Sequence, residues 1–301
     1  RNEPRIALKR TKFKIRKFKL MNALDLINFG TKELREKKIV SSRLDSELLL
    51  SKILKKNREK ILINLDKKIC HKSLLKYKEL IIRRSQNEPV AYLLKEKEFW
   101  SKNFFVSPDT LIPRPETELM VEKLVNIYKE KKISILDMGT GRGCILVSLL
   151  SELQKYEGIG IDISNKALLI AQKNSKRHKV QNKIKFLNKS IDSEFNQKFD
   201  LIVSNPPYIK CKEIKNLKED IKKYEPRIAL DGGNDGLDLI KKVIYKASYI
   251  LKKNGMLALE IGNGQFKKVS KILIKKNFKI EHIIKDYKDN VRCIISTKIN
   301  G

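Results

Sequence analysis

The chain has 301 residues, 41% hydrophobic and 34% charged, which suits one large globular domain plus a smaller one and excludes a wholly disordered chain. Its formal net charge of +32 comes mainly from lysine spread along every segment; that reads as a general compositional bias, requires no nucleic-acid partner, and leaves only a weak, non-specific contact open. No apolar run reaches the roughly 18 residues a membrane-crossing helix needs, so no membrane partner is expected. Cys70, Cys144, Cys211 and Cys293 form no CxxC pair, which leaves no zinc pattern and fits a reducing cytoplasm.

Residues 1–20 are strongly basic, with Glu3 as the single acid, and precede Met21. They read as a disordered extension translated ahead of the folded part. Residues 21–87 carry apolar residues at helical spacing: Leu24, Ile27 and Leu34, then Leu44, Leu48, Leu49 and Ile53 as one stripe. Ser42 is expected to cap that second helix, with Asp45 at its third position. A later helix is expected near Leu74 to Arg84. The segment reads as a small helical domain without chemistry of its own. Residues 88–115 form a structured linker. There Phe99, Trp100, Phe104, Phe105 and Val106 flank an expected Ser101-Lys102-Asn103 hairpin turn, and Pro108, Pro113 and Pro115 stiffen the path.

From residue 116 to 301 strands and helices alternate. Strands are expected at 133–138, 158–163, 184–187, 199–204 and 256–261, with two more at the end. Helices are expected at 144–153, through Ala167 and Ala171, at 237–251 and at 266–275. Alternation of this kind implies an α/β fold with a doubly wound, mostly parallel, Rossmann-like sheet beside the small N-terminal helical domain.

Two constellations carry chemistry. The first is Asp137-Met138-Gly139-Thr140-Gly141-Arg142-Gly143, which closes a strand and opens a helix. Glycines let the backbone turn sharply and approach a ligand without a Cβ in the way. Ligands in such sheets sit beyond the carboxyl ends of the strands. Asp162 ends the next strand, placed to accept hydrogen bonds from ribose hydroxyls. The acid before the loop and the D-x-G-x-G-x-G spacing suit S-adenosyl-L-methionine more than a pyrophosphate, although a dinucleotide enzyme could share such a loop. The second is Asn205-Pro206-Pro207-Tyr208, directly after the strand ending at Ser204. Prolines fix the backbone and push the preceding residue out of helical geometry. The Asn205 side-chain oxygen and the Pro206 carbonyl can accept both N–H bonds of a planar amide or amine, and Tyr208 is expected to pack on its plane. An amide nitrogen is a poor nucleophile because its lone pair is delocalised. Holding it in line with an activated methyl is proximity catalysis, and acceptor dipoles stabilise the positive charge that develops on nitrogen. The pair implies an enzyme methylating an amine or amide, with its substrate still open.

Further runs carry a resemblance. Glu88-Pro89-Val90-Ala91-Tyr92-Leu93, Phe99-Trp100, Leu111-Ile112-Pro113-Arg114-Pro115-Glu116-Thr117-Glu118, Tyr224-Glu225-Pro226-Arg227 and Ala229-Leu230-Asp231-Gly232-Gly233-Asn234-Asp235-Gly236-Leu237 resemble the release factor glutamine methyltransferases, the PrmC/HemK family. The likeness covers nearly all of residues 21–297. It implies N5-methylation of the glutamine in the Gly-Gly-Gln loop of class-1 peptide chain release factors, with the helical domain helping to dock them. It also implies that Asp137, Gly139, Thr140, Gly141, Arg142, Gly143 and Asp162 bind the donor. By the same likeness, Asn205 touches donor and substrate, and Pro206, Pro207 and Tyr208 shape the glutamine pocket. Two departures stand out. An aromatic residue often packs near the adenine just after the third strand, where this chain offers Ile191 or Asp192. Arg142 stands where a smaller residue is common, and is expected to face solvent.

The rivals are a ribosomal-protein glutamine methyltransferase, a DNA adenine methyltransferase, and a non-catalytic RNA-binding protein on an inherited fold. Pro115-Glu116-Thr117-Glu118 resembles the release-factor branch, a DNA enzyme should bring base-flipping machinery, and intact motifs disfavour a decayed enzyme. Gly262-Asn263-Gly264-Gln265 reads as a plain turn, and His71, His178 and His282 as surface or core residues.

Overall fold

The computed structural model describes residues 21–129, 131–153 and 157–299, so the extension expected at residues 1–20 lies outside the described residues. The chain divides into two compact units, residues 1–86 and 87–301.

The described part of the first unit is helical. Helix α1 (Ala23–Glu36) opens on a capping box: Asn22 Oδ1 accepts from Asp25 N at 2.8 Å and Asp25 Oδ2 accepts from Asn22 N at 3.1 Å. Helix α2 (Ser42–Leu54) starts one residue earlier than its sequence suggests. Ser41, not Ser42, is the cap residue, and its hydroxyl donates to Asp45 Oδ2 at 2.8 Å. The expected apolar stripe is also corrected. Leu44 is exposed, and the inward face carries Asp45, Ser46 and Glu47 beside Leu49 and Leu50. Polar groups survive burial when paired. Here Arg84 Nε meets Asp45 at 2.7 Å, Glu47 takes Arg43 and Arg58, and Ser46 pairs with the Tyr77 hydroxyl. Helices α3 (Arg58–Leu62) and α4 (His71–Ser85) complete the unit. Gly30 lets α1 approach α4: a Cβ there would stand 2.2 Å from the Tyr77 hydroxyl oxygen.

The second unit begins with α5 (Val90–Leu94) and a hairpin, β1 (Glu96–Phe99) and β2 (Lys102–Phe105). The hairpin turn is tighter than expected. It consists of Trp100 and Ser101, both left-handed (φ 53° and 51°), and Lys102 already pairs with Phe99. Two consecutive positive φ values are the hairpin geometry that glycine or asparagine normally supplies. Here Trp100 Nε1 and Lys102 Nζ both donate to Glu152 Oε1, at 3.1 and 3.0 Å, and hold the turn instead. Helix α6 (Pro115–Tyr128) follows, with Pro115 at its first position.

Next come β3 (Ser134–Met138), α7 (Cys144–Glu152), β4 (Glu157–Asp162), α8 (Asn165–Arg177), β5 (Ile184–Asn188) and β6 (Phe199–Ser204). A short α9 (Glu219–Tyr224) precedes α10 (Asp238–Ile250), β7 (Leu251–Glu260), α11 (Phe266–Lys275), β8 (Phe278–Lys285) and β9 (Val291–Lys298). The sheet order is β5-β4-β3-β6-β7-β9-β8, parallel through β7, with β9 antiparallel to β7 and β8 antiparallel to β9. Neighbouring side chains go to opposite faces, as the pleat requires. Ile135, Leu201, Val203, Ala258 and Ile295 join α6 and α7 in one core, whereas Leu136, Ile202, Leu257, Leu259 and Ile294 join α10 and α11 in the other. The chain steps from β3 to β4 and β5, then returns to β6 on the other side of β3. That reversal opens a crevice at the carboxyl ends of β3 and β6, where the glycine loop and Asn205 stand.

Left-handed backbone at a residue with a Cβ is strained. Ser101→Gly is therefore expected to raise the urea midpoint of unfolding by an amount worth about 1 kcal/mol. Chemical denaturation of both forms checks it, and an unchanged or lower midpoint contradicts it.

Candidate active site

Asp137, the next-to-last residue of β3, is fully buried. Its Oδ2 accepts from Thr140 Oγ1 at 2.7 Å, while Oδ1 is enclosed without a partner among the described residues. Burial pushes this carboxyl up to about 7, although the Thr140 bond opposes the shift. Gly139 and Gly141 are left-handed (φ 74° and 55°), and a Cβ on either would meet nothing within 4 Å. Those two glycines therefore serve the turn and leave an open face above the loop. Gly143 instead fits against α8, where a Cβ would stand 3.2 Å from that of Ala171. Asp162 Oδ2 accepts from Gly141 N and Oδ1 from Ser164 N, both at 2.9 Å. Each oxygen thus keeps a lone pair for a hydroxyl donor. Burial raises the Asp162 carboxyl as well.

The glycine loop lines a cavity of about 670 Å³. Gly139, Thr140, Gly141, Arg142, Asp162, Ile191, Asn205 and Pro207 are all on its wall, and so is Asp192. Asp137, Gly143, Pro206 and Tyr208 are not among the lining residues. Asp137 and Gly143 shape the loop from below. Pro206 is buried behind Asn205. Tyr208 packs against the core under α10 and points its hydroxyl at Glu260 Oε1, 3.4 Å away, rather than lying along the cavity wall. Arg142 does not face solvent: it is 3% exposed, and burial lowers its pKa. None of the three histidines lines the cavity.

Asn205 is held through its amide nitrogen. Its Nδ2 donates to Thr117 Oγ1 at 3.4 Å, and Thr117 Oγ1 donates to Glu260 Oε2 at 2.6 Å. Thr117 has one hydroxyl proton. With that proton on Glu260, Thr117 can only accept from Asn205, so Asn205 Oδ1 is the atom left for the cavity. Glu260 is buried at the end of β7, and burial pushes it up to about 7, against the Thr117 and Tyr208 hydrogen bonds.

The corner after Asn205 is braced from outside the turn. Ile209 N donates to Leu230 O at 3.0 Å and Gly232 N to Ile209 O at 2.8 Å, stapling residues 205–211 to the glycine run 231–236. A Cβ on Gly232 would lie 2.8 Å from the Pro207 carbonyl oxygen, so that approach needs glycine. Gln265, read from sequence as part of a plain turn, is buried here. Its Nε2 donates to Tyr208 O at 2.9 Å and Gly236 O at 3.1 Å, while its Oε1 accepts from Gly262 N at 2.7 Å. Glu225 links the opposite wall, accepting from Ile112 N at 3.1 Å and Arg114 Nη2 at 2.8 Å. Asn174 Nδ2 donates to Arg142 O at 3.0 Å and ties the glycine loop to α8. Sequence reasoning assigned no role to Thr117, Glu225, Glu260, Gln265 or Asn174. The clue for Thr117, Glu225 and Gln265 was a polar residue inside or beside a motif; Glu260 and Asn174 gave none beyond a polar residue in a strand or on an apolar helix face.

A glycine loop and a polar acceptor stand together at the switch point of the sheet. Residues 115–224 match the methyltransferase small domain and residues 25–94 the PrmC N-terminal domain. The catalytic domain of hMettl16, solved in complex with a MAT2A 3′UTR hairpin, shares the fold at a TM-score of 0.54 and 13% identity, over 74% of this chain and 83% of that one. The molecule is thus a methyltransferase with a site for a methyl donor. The release factor glutamine methyltransferase of Fusobacterium nucleatum subsp. nucleatum is 38% identical over 281 residues, 91% of this chain and 78% of that protein. That of Buchnera aphidicola subsp. Schizaphis graminum is 43% identical over 256 residues, 85% of this chain and 92% of that protein. The chain belongs to the release factor glutamine methyltransferase family.

The Glu260 relay predicts a pH dependence. Above about 7 Glu260 is ionised and accepts the Thr117 hydrogen bond; below it the acid is protonated and can donate to Thr117, which frees Thr117 to turn the Asn205 amide round. Turnover should therefore fall as pH drops through about 7. Glu260→Gln should flatten that limb at a lower plateau. A wild-type profile level from pH 6 to 8 (roughly one unit either side of the relevant group) contradicts the relay.

Proposed function

We propose that the chain transfers a methyl group from S-adenosyl-L-methionine to the side-chain amide nitrogen of the glutamine in the Gly-Gly-Gln motif of class-1 peptide chain release factors, in the cytoplasm. The observation that carries this reading is Asn205 on the cavity wall with its Nδ2 engaged by Thr117, which leaves a fixed acceptor beside the glycine loop. Membership of the family supports the substrate.

The residues present fit the donor. Gly139 and Gly141 leave an open face, Asp162 keeps acceptor capacity, and the enclosed Asp137 Oδ1 lies directly beneath the loop. Asp162 would hold the ribose hydroxyls, Gly139 to Gly143 would pass under the methionine half, and Ile191 would lie against the adenine as an aliphatic substitute for an aromatic ring. When bound, the donor supplies a methyl group activated by positive sulfur.

The chain's own part is placement. Asn205 Oδ1 accepts an N–H bond of the glutamine amide and holds its nitrogen toward the methyl. That acceptor is fixed before the substrate arrives, so it stabilises the charge that builds on nitrogen without reorganising. Pro207 closes the pocket beside Asn205 and excludes water. No strong base is needed, because the amide N–H becomes acidic as the new bond forms and its proton passes to bulk water when the products leave. Tyr208 acts from behind, holding the corner on the core.

Purified protein with S-adenosyl-L-methionine should add one methyl to the Gly-Gly-Gln glutamine of a full-length release factor, read by mass spectrometry. Methyl on duplex DNA or a ribosomal protein, with none on that glutamine, overturns the reading. Asn205→Ala should lose turnover by about 100-fold or more while circular dichroism stays that of the parent. Parental turnover in that variant contradicts the role given to Asn205.

A further inference from the structure

Arg142 sits between two left-handed glycines on the loop that follows β3 and lines the cavity. It is almost wholly buried, yet its Nε and Nη1 find no acceptor among the described residues. The ionisable groups around its guanidinium are Cys144, Tyr92, Glu225 and Arg114. Each is already committed. Glu225 accepts from Ile112 N and Arg114 Nη2, and the Tyr92 hydroxyl donates to Thr110 O at 2.7 Å. Burial pushes the Cys144 thiol up to about 11, so it stays neutral. Arg114 adds a second positive charge. A buried cation without an acceptor is costly, and proteins keep one only where something pairs it.

The sheet order limits what that partner can be. Asp162 ends β4, Asn205 follows β6, and β3 with its glycine loop lies between them. A donor with its ribose at Asp162 and its sulfur toward Asn205 lays its amino-acid half over the loop that carries Arg142. A peptide carbonyl could satisfy one N–H but would leave the charge unbalanced. A carboxylate matches both the charge and the planar fork of guanidinium. We propose that Arg142 binds the methionyl carboxylate of the donor. This rests on the cavity being the S-adenosyl-L-methionine site.

The test measures binding rather than turnover. Calorimetry would compare S-adenosylhomocysteine with its analogue lacking the carboxylate, 5′-(3-aminopropylthio)-5′-deoxyadenosine, on wild type, Arg142→Met and Arg142→Lys. Wild type should prefer S-adenosylhomocysteine by about tenfold or more. Arg142→Met should lose that preference, binding the analogue within about twofold of wild type, and Arg142→Lys should keep part of it. Without ligand, Arg142→Met should melt no lower than wild type, because it removes an unbalanced buried charge. Equal weakening of both ligands, an unchanged preference, or a ligand-free melting point several degrees lower overturns the proposal. Wild type that binds neither compound overturns the site itself, a different failure.

Discussion

Glu260 is an acid at the end of a central strand, shut away from water, and the site's polarity is set from it. Ionising a buried carboxyl is unfavourable, which is why its pKa lies near neutrality. Two hydroxyls meet it there: Thr117 from the first turn of α6 and Tyr208 from the corner after β6. Because Thr117 donates its one hydroxyl hydrogen bond to Glu260, it must accept from Asn205. A planar amide with one end tied down has its other end determined. The hydrogen-bonding sense of Asn205, and so its capacity to receive an amide N–H, is inherited from a residue that never lines the cavity.

The sequence runs shared with the family acquire physical reasons around this relay. Pro115-Glu116-Thr117 starts α6 so that Thr117 falls on its buried face beneath Asn205. Tyr224-Glu225-Pro226 supplies the carboxylate that fixes the Ile112 and Arg114 segment as a wall. Gly232 and Gly236 lie where side chains would strike the Pro207 and Tyr208 backbone. Gln265 satisfies two carbonyls and one N–H that would otherwise be buried unpaired. The corner is held because Tyr208 O, Ile209 N and O, and Cys211 N are each met by a group far along the chain.

Much of this was legible in the sequence where the signal is local. The strand ending at Ser204 and the helix Phe266–Lys275 match their apolar periodicity to the residue, and the glycine loop and Asn205 corner announce themselves by composition. What stayed hidden depends on pairing over distance. Thr117 and Glu260 are 143 positions apart, so nothing local reveals their bond. Pro115 reads as linker stiffening until α6 shows it as a helix start. The polar inward face of α2 defeats an apolar-stripe rule because Arg84 and Tyr77, far along the chain, make burial of Asp45 and Ser46 tolerable. The Trp100-Ser101 turn lacks the glycine that marks such turns, its anchor Glu152 being more than one helix away. Arg142, expected to face solvent, is buried on the cavity wall instead.

The most direct measurement is a crystal structure of the protein with S-adenosylhomocysteine and a Gly-Gly-Gln peptide at pH 8, refined to a resolution that settles the Asn205 amide. The account predicts Asn205 Nδ2 on Thr117, Oδ1 on the glutamine amide, and the glutamine nitrogen facing the sulfur across a gap the transferred methyl would fill. An Asn205 side chain turned from the cofactor, or paired to Thr117 through its oxygen, contradicts it.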